Sequence, residues 1–202
     1  MTPAKRALDI VLALGLSVLL APLAAIVALL ILLCEGRPVF YVAERMKTPD
    51  QAFDLWKFRT MRPIAGDGGV SGGDKNDRIS PLGRALRRTR LDELPQLYNV
   101  LRGDISFVGP RPPLRRYVEQ FPDLYAHVLQ QRPGITGLAT LYFHRKEEAL
   151  LAGCRTPEET EAVYTRRCVP RKAQIDRIYA ARRTLCLDMR LIFATVFRSL
   201  LP

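Results

Sequence analysis

Histidine and paired cysteine are scarce in this chain, and their scarcity excludes several kinds of site. Among 202 residues there are two histidines, His127 and His144, and none of the four cysteines forms a Cys-x-x-Cys pair. The ligand spacing of a zinc site is therefore missing. We expect both histidines to be surface or packing residues, and the thiols to be free and mostly packed, in a reducing compartment. The cysteines are Cys34, Cys154, Cys168 and Cys186.

Acidic residues are outnumbered, and neither an internal repeat nor a phosphate-binding loop is evident. The glycines of residues 67–73 lack the Gly-x-x-x-x-Gly-Lys-Ser/Thr order of a P-loop. Asp and Glu total 20 against 31 Lys and Arg, which gives a net charge of +11. A chain this basic binds anions, and nucleic acid, an anionic membrane face and phosphate-bearing substrates all fit. Composition alone does not choose among them.

Long apolar runs are also rare, with one exception near the N-terminus. Residues 10–34 carry no charge, and a helix of that length reaches across a hydrocarbon layer of ~30 Å. A buried helix of a soluble domain would normally show a polar face, and the sequence after the run does not resemble a signal-peptide cleavage site. The run therefore predicts a membrane-inserted helix.

The geometry of that insertion has two alternatives. Pro22 lies near the middle of the run and removes one helical hydrogen bond, which favours a kink or a break. Basic residues flank both ends, Lys5 and Arg6 before and Arg37 after, so the positive-inside rule gives no orientation for a crossing. A re-entrant helix, broken at Pro22 with both ends on the cytoplasmic face, satisfies both observations, and a straight span is the alternative.

After the apolar run, the sequence predicts a strand pair, a loop and two short helices. Aromatic and β-branched residues between 37 and 61 predict the strand pair, with a turn at 48–50. Residues 63–78 are rich in Gly and Asp and predict the loop. Pro81 opens a helical pattern, and a second helix ends at Arg102.

The C-terminal half predicts further helices. Residues 114–131 have a helical pattern, residues 132–137 predict a turn, and residues 144–161 predict helix in pieces. Residues 172–201 predict an amphipathic helical stretch with arginines on its polar side, suited to a membrane surface or to packing.

Two adjacent carboxylates, Asp92 and Glu93, follow closely on Arg84, Arg87 and Arg90. They could be helix-end charges with surface ion pairs, which contribute little. The alternative is a carboxylate nucleophile held ionised by cations, beside a carboxylate that binds Mg²⁺. The pair alone does not decide between these interpretations.

The surrounding motifs favour the second interpretation, because their order and spacing resemble a known family. Nearly the whole chain to about Leu141 resembles the bacterial sugar transferases, the monotopic phosphoglycosyl transferases, and in particular their small members. The motifs are Lys5-Arg6-Ala7-Leu8-Asp9, Lys57-Phe58-Arg59-Thr60-Met61, Leu91-Asp92-Glu93-Leu94-Pro95 with its continuation to Asp104, Phe107-Val108-Gly109-Pro110-Arg111-Pro112 and Arg132-Pro133-Gly134-Ile135-Thr136-Gly137.

The resemblance implies a two-step transfer of a phosphosugar from a UDP-sugar to undecaprenyl phosphate. Asp92 would attack the sugar-linked phosphate and expel UMP, and the lipid phosphate would then take the phosphosugar from Asp92. Glu93 would bind the Mg²⁺ cofactor. The phosphates would be bound by the cations at Lys57, Arg59, Arg87 and Arg111.

The resemblance also implies a fold class and a location. We expect an α/β protein, mainly helical with a small β-sheet and associated with the bacterial inner membrane. Residues 1–36 would form a membrane-inserted, re-entrant helix, and residues 37–202 a catalytic domain on the cytoplasmic face with amphipathic C-terminal helices. Its partners would be the donor, the acceptor and inner-membrane lipids, not nucleic acid, and a homodimer is left open.

Each proposed cation also has an ordinary structural interpretation. Lys57 and Arg59 alternate with Phe58, as on the solvent face of a strand, and Arg87 could simply flank a helix. Arg111 lies between two prolines, which stiffen its backbone and suit its guanidinium to a phosphate. Pro133-Gly134 is expected only to shape a turn.

The chain departs from the family pattern in places. Ala21 stands before Pro22 where family members often carry Ser, and residues 139–170 diverge where sugar selection would plausibly occur. The identity of the sugar is therefore not carried over.

Two other functions remain as alternatives. A nucleic-acid-binding protein fits the charge, but no helix-turn-helix, zinc or RNP-type motif is present. A catalytically silent scaffold for polysaccharide assembly is the other, and substitution of Asp92 by Asn would distinguish it from an enzyme.

Overall fold

The computed structural model describes residues 1–62 and 77–197, so most of the predicted loop at 63–78 and the end of the tail lie outside the described residues. The described chain is mostly helical, as predicted, with two small two-stranded sheets. Its helices are α1 (Pro3–Glu35), α2 (Pro81–Thr89), α3 (Gln96–Arg102), α4 (Arg115–Gln120), α5 (Pro122–Val128), α6 (Leu138–Ala152), α7 (Pro157–Val163), α8 (Val169–Arg182) and α9 (Leu185–Val196), and its strands are β1 (Phe40–Met46), β2 (Ala52–Phe58), β3 (Ser106–Val108) and β4 (Gly134–Thr136).

Helix α1 contains the apolar run and is one helix of 33 residues. The Thr2 hydroxyl caps its first turn by accepting from the Lys5 amide, and Gly36, with a φ of 74°, follows its last residue. Pro22 lies inside the helix and does not end it. The helix therefore continues through the position where a break was predicted. By length and composition α1 could cross a membrane.

Both ends of α1 pack against the same globular body. Near the N-terminus, Lys5 Nζ lies 2.5 Å from Asp188 Oδ2, and Asp9 Oδ1 accepts from the Ser106 hydroxyl at 3.1 Å. Near the C-terminus, Val27 and Ile31 are buried. The opposite face is exposed and apolar. These contacts disfavour a straight span, which would carry one end of a helix about 50 Å long away from the body, while the re-entrant arrangement stays a prediction.

The predicted strand pair is confirmed. Strands β1 and β2 pair in antiparallel fashion, with Tyr41 opposite Lys57, and Gln51 O accepts from the Lys47 amide at 2.8 Å across the intervening turn. The hairpin is fixed to α3 by the fully buried Asn99 side chain, which accepts from the Trp56 amide and donates to the Asp54 carbonyl. The hairpin therefore holds Lys57 at a fixed place beside the chain that follows α2.

The turn predicted at 132–137 is partly wrong, because Gly134–Thr136 form strand β4 in parallel with β3. The two backbones approach so closely that a Cβ on Gly134 would lie 2.2 Å from the Gly109 amide nitrogen. Absent side chains at these glycines allow the approach. A three-residue parallel strand has too little length to show an alternating pattern, which is why the sequence did not indicate it.

The helical predictions in the C-terminal half are confirmed, but the helices are shorter than the patterns suggested. Residues 114–131 form α4 and α5, which meet at Phe121-Pro122, since proline is favoured at a first helical position. The charged stretch forms α6 and α7, and a five-residue π-helical turn, Tyr164–Cys168, joins α7 to α8. Thr184 caps α9 and separates it from α8.

Replacing Gly134 by Ala is expected to destabilise the fold by about 1–3 kcal/mol, because the new methyl group has no space beside the rigid Gly109 backbone. Thermal unfolding of the purified protein in detergent measures the change. Gly153→Ala is the matched control, since a Cβ there meets nothing within 4 Å and should change stability by less than about 0.5 kcal/mol. Equal unfolding temperatures for the two variants would contradict the close approach.

Candidate active site

Asp92 and Glu93, the carboxylates predicted to form the site, lie in the wall of a cavity of about 740 Å³. The β1–β2 hairpin contributes Tyr41, Arg45 and Lys57, and the chain after α2 contributes Asp92 and Glu93. The far side is formed by α6 and α8 and by the π-helical turn. The volume is within the ~300–1,000 Å³ typical of small-molecule sites.

The chain turns sharply to place the two carboxylates there. Helix α2 begins at Pro81 with the Ser80 hydroxyl capping the Gly83 amide, and its last residue, Thr89, is followed by Arg90, whose φ of 61° is left-handed. That conformation costs a non-glycine residue roughly 1–2 kcal/mol. A 3₁₀ turn, Leu91–Glu93, follows at once. Asp92 and Glu93 are consequently carried back into the protein and are only 7% and 8% exposed.

Glu93 is surrounded by cations from three parts of the chain. Its Oε1 lies 3.0 Å from Lys57 Nζ, 3.3 Å from a terminal nitrogen of Arg90 and 3.8 Å from one of Arg111. Lys57 comes from β2, Arg90 from the end of α2, and Arg111 from the proline-flanked segment after β3. All three contacts use Oε1, which leaves Oε2 outside them.

The cation cluster determines the ionisation of Glu93. Burial alone would raise the pKa of its carboxyl, but Lys57, Arg111 and Arg90 together outweigh burial and lower that pKa to about 2. For Lys57, a base, burial lowers the pKa, and the charge of Glu93 opposes that change. Glu93 is therefore a fixed negative charge, and the cluster keeps an excess of positive charge beside it.

Asp92 differs from its neighbour. Its Oδ1 is buried and has no hydrogen-bond partner among the described residues. Burial raises the pKa of the Asp92 carboxyl, and the Glu93 charge adds to that effect, whereas Lys57, Arg87 and Arg90 oppose it. An uncommitted carboxylate oxygen in a cationic cavity is the arrangement that a nucleophile needs, because no hydrogen bond has to break before it attacks.

The structure brings together Lys57, Glu93 and Arg111, with Asp92 beside them, and it places Arg87 at the same cavity wall. The Arg87 Nε donates to the Thr60 hydroxyl at 2.9 Å, which leaves its terminal nitrogens outside that bond. Burial lowers the pKa of Arg87, and the Asp92 charge opposes this.

Arg59 also lines the cavity, but its contacts differ from those of the other predicted cations. Its guanidinium donates to the carbonyls of Arg37, Glu35 and Gly36 at 3.1, 2.8 and 2.9 Å, and it is 7% exposed. These carbonyls lie at the C-terminal end of α1, where cations satisfy free carbonyl groups. Arg59 therefore joins α1 to β2, a role that its place in the strand motif did not reveal.

The sequence analysis missed a polar group on the far side of the cavity. Lys172 Nζ contacts both Glu147 oxygens at 3.1 and 2.9 Å and lies over the Tyr164 ring. Asp176, one helical turn after Lys172, is 8% exposed, and burial raises the pKa of its carboxyl to about 7. The i, i+4 spacing of Lys172 and Asp176 was visible, but their burial among C-terminal helices was not.

Arg45 was also missed as a site residue. It lines the cavity from β1, two residues beyond Ala43 and four beyond Tyr41, and Tyr41 is the cross-strand partner of Lys57. Alternate residues of a strand share a face. The strand pattern therefore contained a signal for Arg45, because Arg45 lies on the same face of β1 as Tyr41, the residue opposite Lys57.

The remaining predictions concern histidine and cysteine. His127 is exposed and bonds to the Asp123 carbonyl, as expected of a surface residue, whereas His144 lines the cavity and lies 3.4 Å from Glu148. All four cysteines are free, as predicted. Only Cys154 and Cys168 are buried, so the expectation that the thiols are mostly packed holds for half of them.

The residues present fit a magnesium ion that takes one or two ligands from the protein and the others from substrate phosphates and water. Within residues 1–62 and 77–197, no cluster of three or more His, Cys, Asp or Glu side chains could enclose a metal. Mg²⁺ is commonly held by one or two carboxylates together with substrate phosphates and water. Glu93 Oε2, which lies outside the three cation contacts, is one such oxygen.

Comparison with known proteins identifies the family to which the chain belongs. The sequence model described as "Bacterial sugar transferase" matches residues 1–201. The chain belongs to the bacterial sugar transferase family, and the match includes every residue of the cavity described above.

Several relatives of known activity are similar to nearly the whole chain. The chain is 35% identical over 199 residues to the UDP-glucose:undecaprenyl-phosphate glucose-1-phosphate transferase of Escherichia coli (strain K12), covering 96% of this chain and 40% of that protein. It is 32% identical over 198 residues to the UDP-N-acetylgalactosamine-undecaprenyl-phosphate N-acetylgalactosaminephosphotransferase of Aeromonas hydrophila, covering 95% of this chain and 42% of the relative. The chain thus spans about two fifths of the length of these relatives.

A third relative is of similar length to this chain. The exopolysaccharide production protein PSS of Rhizobium leguminosarum bv. phaseoli is 38% identical over 205 residues, covering 97% of this chain and 94% of the relative.

Replacing Asp176 by Asn is expected to stabilise the protein at pH 8 by up to about 4 kcal/mol. The folded pKa lies above the unfolded one, so the native state binds the extra proton and wild-type stability falls as pH rises from about 4 to about 7. The asparagine variant does not undergo this loss. Unfolding temperatures of both proteins between pH 4 and pH 8 measure the effect, and a difference independent of pH would contradict it.

Proposed function

We propose that the chain transfers a phosphosugar from a UDP-sugar to undecaprenyl phosphate by way of a phosphosugar covalently bound to Asp92. Two observations support the proposal. The family and the activities for which the relatives are named indicate the reaction class, and the buried, unpartnered Asp92 Oδ1 in a cationic cavity supports the covalent step. The second observation carries the mechanism.

In the first half-reaction, an Asp92 carboxylate oxygen attacks the phosphorus that bears the sugar. A bond forms between that oxygen and phosphorus, the bond from phosphorus to the bridging oxygen breaks, and UMP leaves with the electron pair. In the second half-reaction, a phosphate oxygen of the lipid attacks the same phosphorus. The Asp92 carboxylate then leaves, and the product is the lipid diphosphate sugar.

Electrostatics explain why the cations surround the carboxylates. An anionic nucleophile approaching a dianionic diphosphate is repelled strongly in a cavity of low dielectric constant. Lys57, Arg90 and Arg111 already lie within 3.0 to 3.8 Å of Glu93, and Arg87 lies near Asp92. Held in place before substrate arrives, these groups offset the repulsion without reorganising during the reaction.

We propose Mg²⁺ as the cofactor, held by Glu93 together with diphosphate oxygens. Bound there, it would polarise the phosphoryl group and neutralise charge on the leaving phosphate. Within this chain, Lys57 keeps Glu93 ionised and oriented, so that Oε2 is available as a ligand. The cation cluster thus has a second use beyond binding substrate.

We place the enzyme at the bacterial inner membrane with its cavity on the cytoplasmic side. The exposed apolar surface of α1, including Val18 at 79% and Leu19 at 72% exposure, supports membrane insertion, since soluble proteins rarely expose such surfaces. Phe193, Val196 and Phe197, at and just after the end of α9, are further exposed apolar side chains.

Asp92→Asn is expected to lower UMP release from the donor by at least about 10³-fold, because the amide has no anionic oxygen with which to attack phosphorus. Purified wild type and variant would be incubated with UDP-glucose or UDP-N-acetylgalactosamine, undecaprenyl phosphate and Mg²⁺, and UMP measured. The matched control is Asp123→Asn, at an exposed carboxylate on α5 outside the cavity. Turnover by Asp92→Asn near the wild-type rate would refute the covalent mechanism.

Removal of divalent metal by EDTA is expected to abolish UMP release, and added Mg²⁺ to restore it. Glu93→Gln should need a higher Mg²⁺ concentration for half-maximal rate, because the amide binds the ion more weakly than the carboxylate. Titration of the rate with Mg²⁺ measures both effects. The metal assignment would be overturned if activity persisted in EDTA.

A further inference from the structure

A second cavity, of about 420 Å³, lies between α1 and the globular body. Leu16 and Leu20 of α1 form one wall, and Leu97, Phe107 and Ile135 belong to the wall contributed by the body. The lining is mainly apolar, in contrast to the cation-rich cavity around Asp92. None of the catalytic steps described above uses this space.

The two cavities adjoin at the catalytic carboxylates. Arg90 and Glu93 line both of them, as do three residues of α6, Thr140, His144 and Glu148. A molecule that enters the apolar cavity from the side of α1 therefore meets Glu93 and Arg90 at its inner end. The polarity changes along this path from leucine side chains to the charged groups beside Asp92.

This arrangement matches an amphiphile with an anionic head and a long apolar chain. The inner end supplies a guanidinium, and the cavity behind it supplies hydrocarbon contacts. The outer wall is formed by residues 16 and 20 of α1, the segment whose opposite face is exposed and apolar at Val18 and Leu19. A chain in this cavity would pass directly into the hydrocarbon layer that surrounds α1.

We propose that this cavity holds the first isoprenoid units of the lipid phosphate acceptor and directs its phosphate past Arg90 to the phosphosugar on Asp92. The inference rests on the proposed function and assigns the acceptor's chain to a place distinct from the donor's cavity. Each buried methylene of the chain contributes to binding, so the cavity sets the affinity for long-chain acceptors. The first half-reaction does not depend on it.

The test compares tryptophan at two neighbouring positions of α1, both within the membrane segment. Leu20 lines the cavity, whereas Leu19 is 72% exposed on another face of the helix. Leu20→Trp fills part of the cavity and is expected to raise the KM for undecaprenyl phosphate roughly tenfold. Leu19→Trp should leave it unchanged within about twofold. Both variants would be measured in lipid nanodiscs.

One further readout separates this inference from the proposed function. Single-turnover UMP release without lipid acceptor should be equal in wild type and Leu20→Trp. Equal KM values for undecaprenyl phosphate in wild type and Leu20→Trp, or equal losses in Leu19→Trp and Leu20→Trp, would overturn the cavity assignment alone. Failure of wild type to release UMP would overturn the proposed function and this inference with it.

A binding measurement covers the case in which Leu20→Trp folds poorly. Leu20→Cys and Leu19→Cys, each in a Cys34→Ser background because Cys34 is an exposed thiol of the same helix, would be alkylated with an apolar maleimide in nanodiscs, and labelling would be followed by mass spectrometry of the α1 peptide. Undecaprenyl phosphate should slow labelling of Leu20→Cys severalfold and leave Leu19→Cys unaffected. No protection at either position would show that membrane phospholipid or no lipid occupies the cavity, and would overturn the proposal.

Discussion

The neutralisation of Glu93 by three cations is the interaction on which the site depends. Two adjacent carboxylates in a mostly buried position would repel each other and lose hydration, and such groups normally take up protons instead. Lys57, Arg90 and Arg111 prevent this at Glu93, whose pKa falls to about 2. Asp92 is consequently placed beside a permanent ion cluster rather than beside a second titrating acid.

The fold serves to bring those cations to one carboxylate. Lys57 is positioned by a hairpin that Asn99 fixes to α3, Arg90 by its own left-handed conformation just after α2, and Arg111 by a proline-flanked segment that follows β3. Each support is local and rigid. The close approach of Gly109 and Gly134 is part of the same construction, because it determines where the segment carrying Arg111 begins.

Helix α1 is joined to the same body at both ends. Lys5 and Asp9 bind α9 and β3 near its start, while Arg59 satisfies the carbonyls at its end. The basic residue at position 59 and the charges at positions 5 and 9 are therefore connections between the apolar helix and the domain. They hold Leu16 and Leu20, which line the apolar cavity, near Glu93.

Much of the fold and of the candidate site could be predicted from the sequence, because strong local patterns indicated those parts. The strand pair around Lys57, the helix after Ser80-Pro81 and the acid pair at 92 and 93 all had local signals. The π-helical turn, the three-residue strands and the packing of Lys172, Glu147 and Asp176 against the far side of the cavity did not. Those features depend on contacts between segments distant in sequence, for which spacing along the chain gives no information.

The same reason separates Arg59 from Lys57. Both belong to one motif and both are basic, yet one contacts the carbonyl end of α1 and the other contacts Glu93. The pattern predicted two cations on a strand but not their partners. The left-handed conformation of Arg90 and the unpaired state of Asp92 Oδ1 likewise had no local signal in the sequence.

The covalent role of Asp92 is tested most directly by mass spectrometry of the protein after mixing with donor in the absence of lipid acceptor. The account predicts that the intact mass increases by one phosphosugar, that the added group maps to the peptide containing Asp92, and that undecaprenyl phosphate removes it. An unmodified protein that nevertheless releases UMP only when the lipid is present would contradict the account, and would indicate direct transfer between the two substrates.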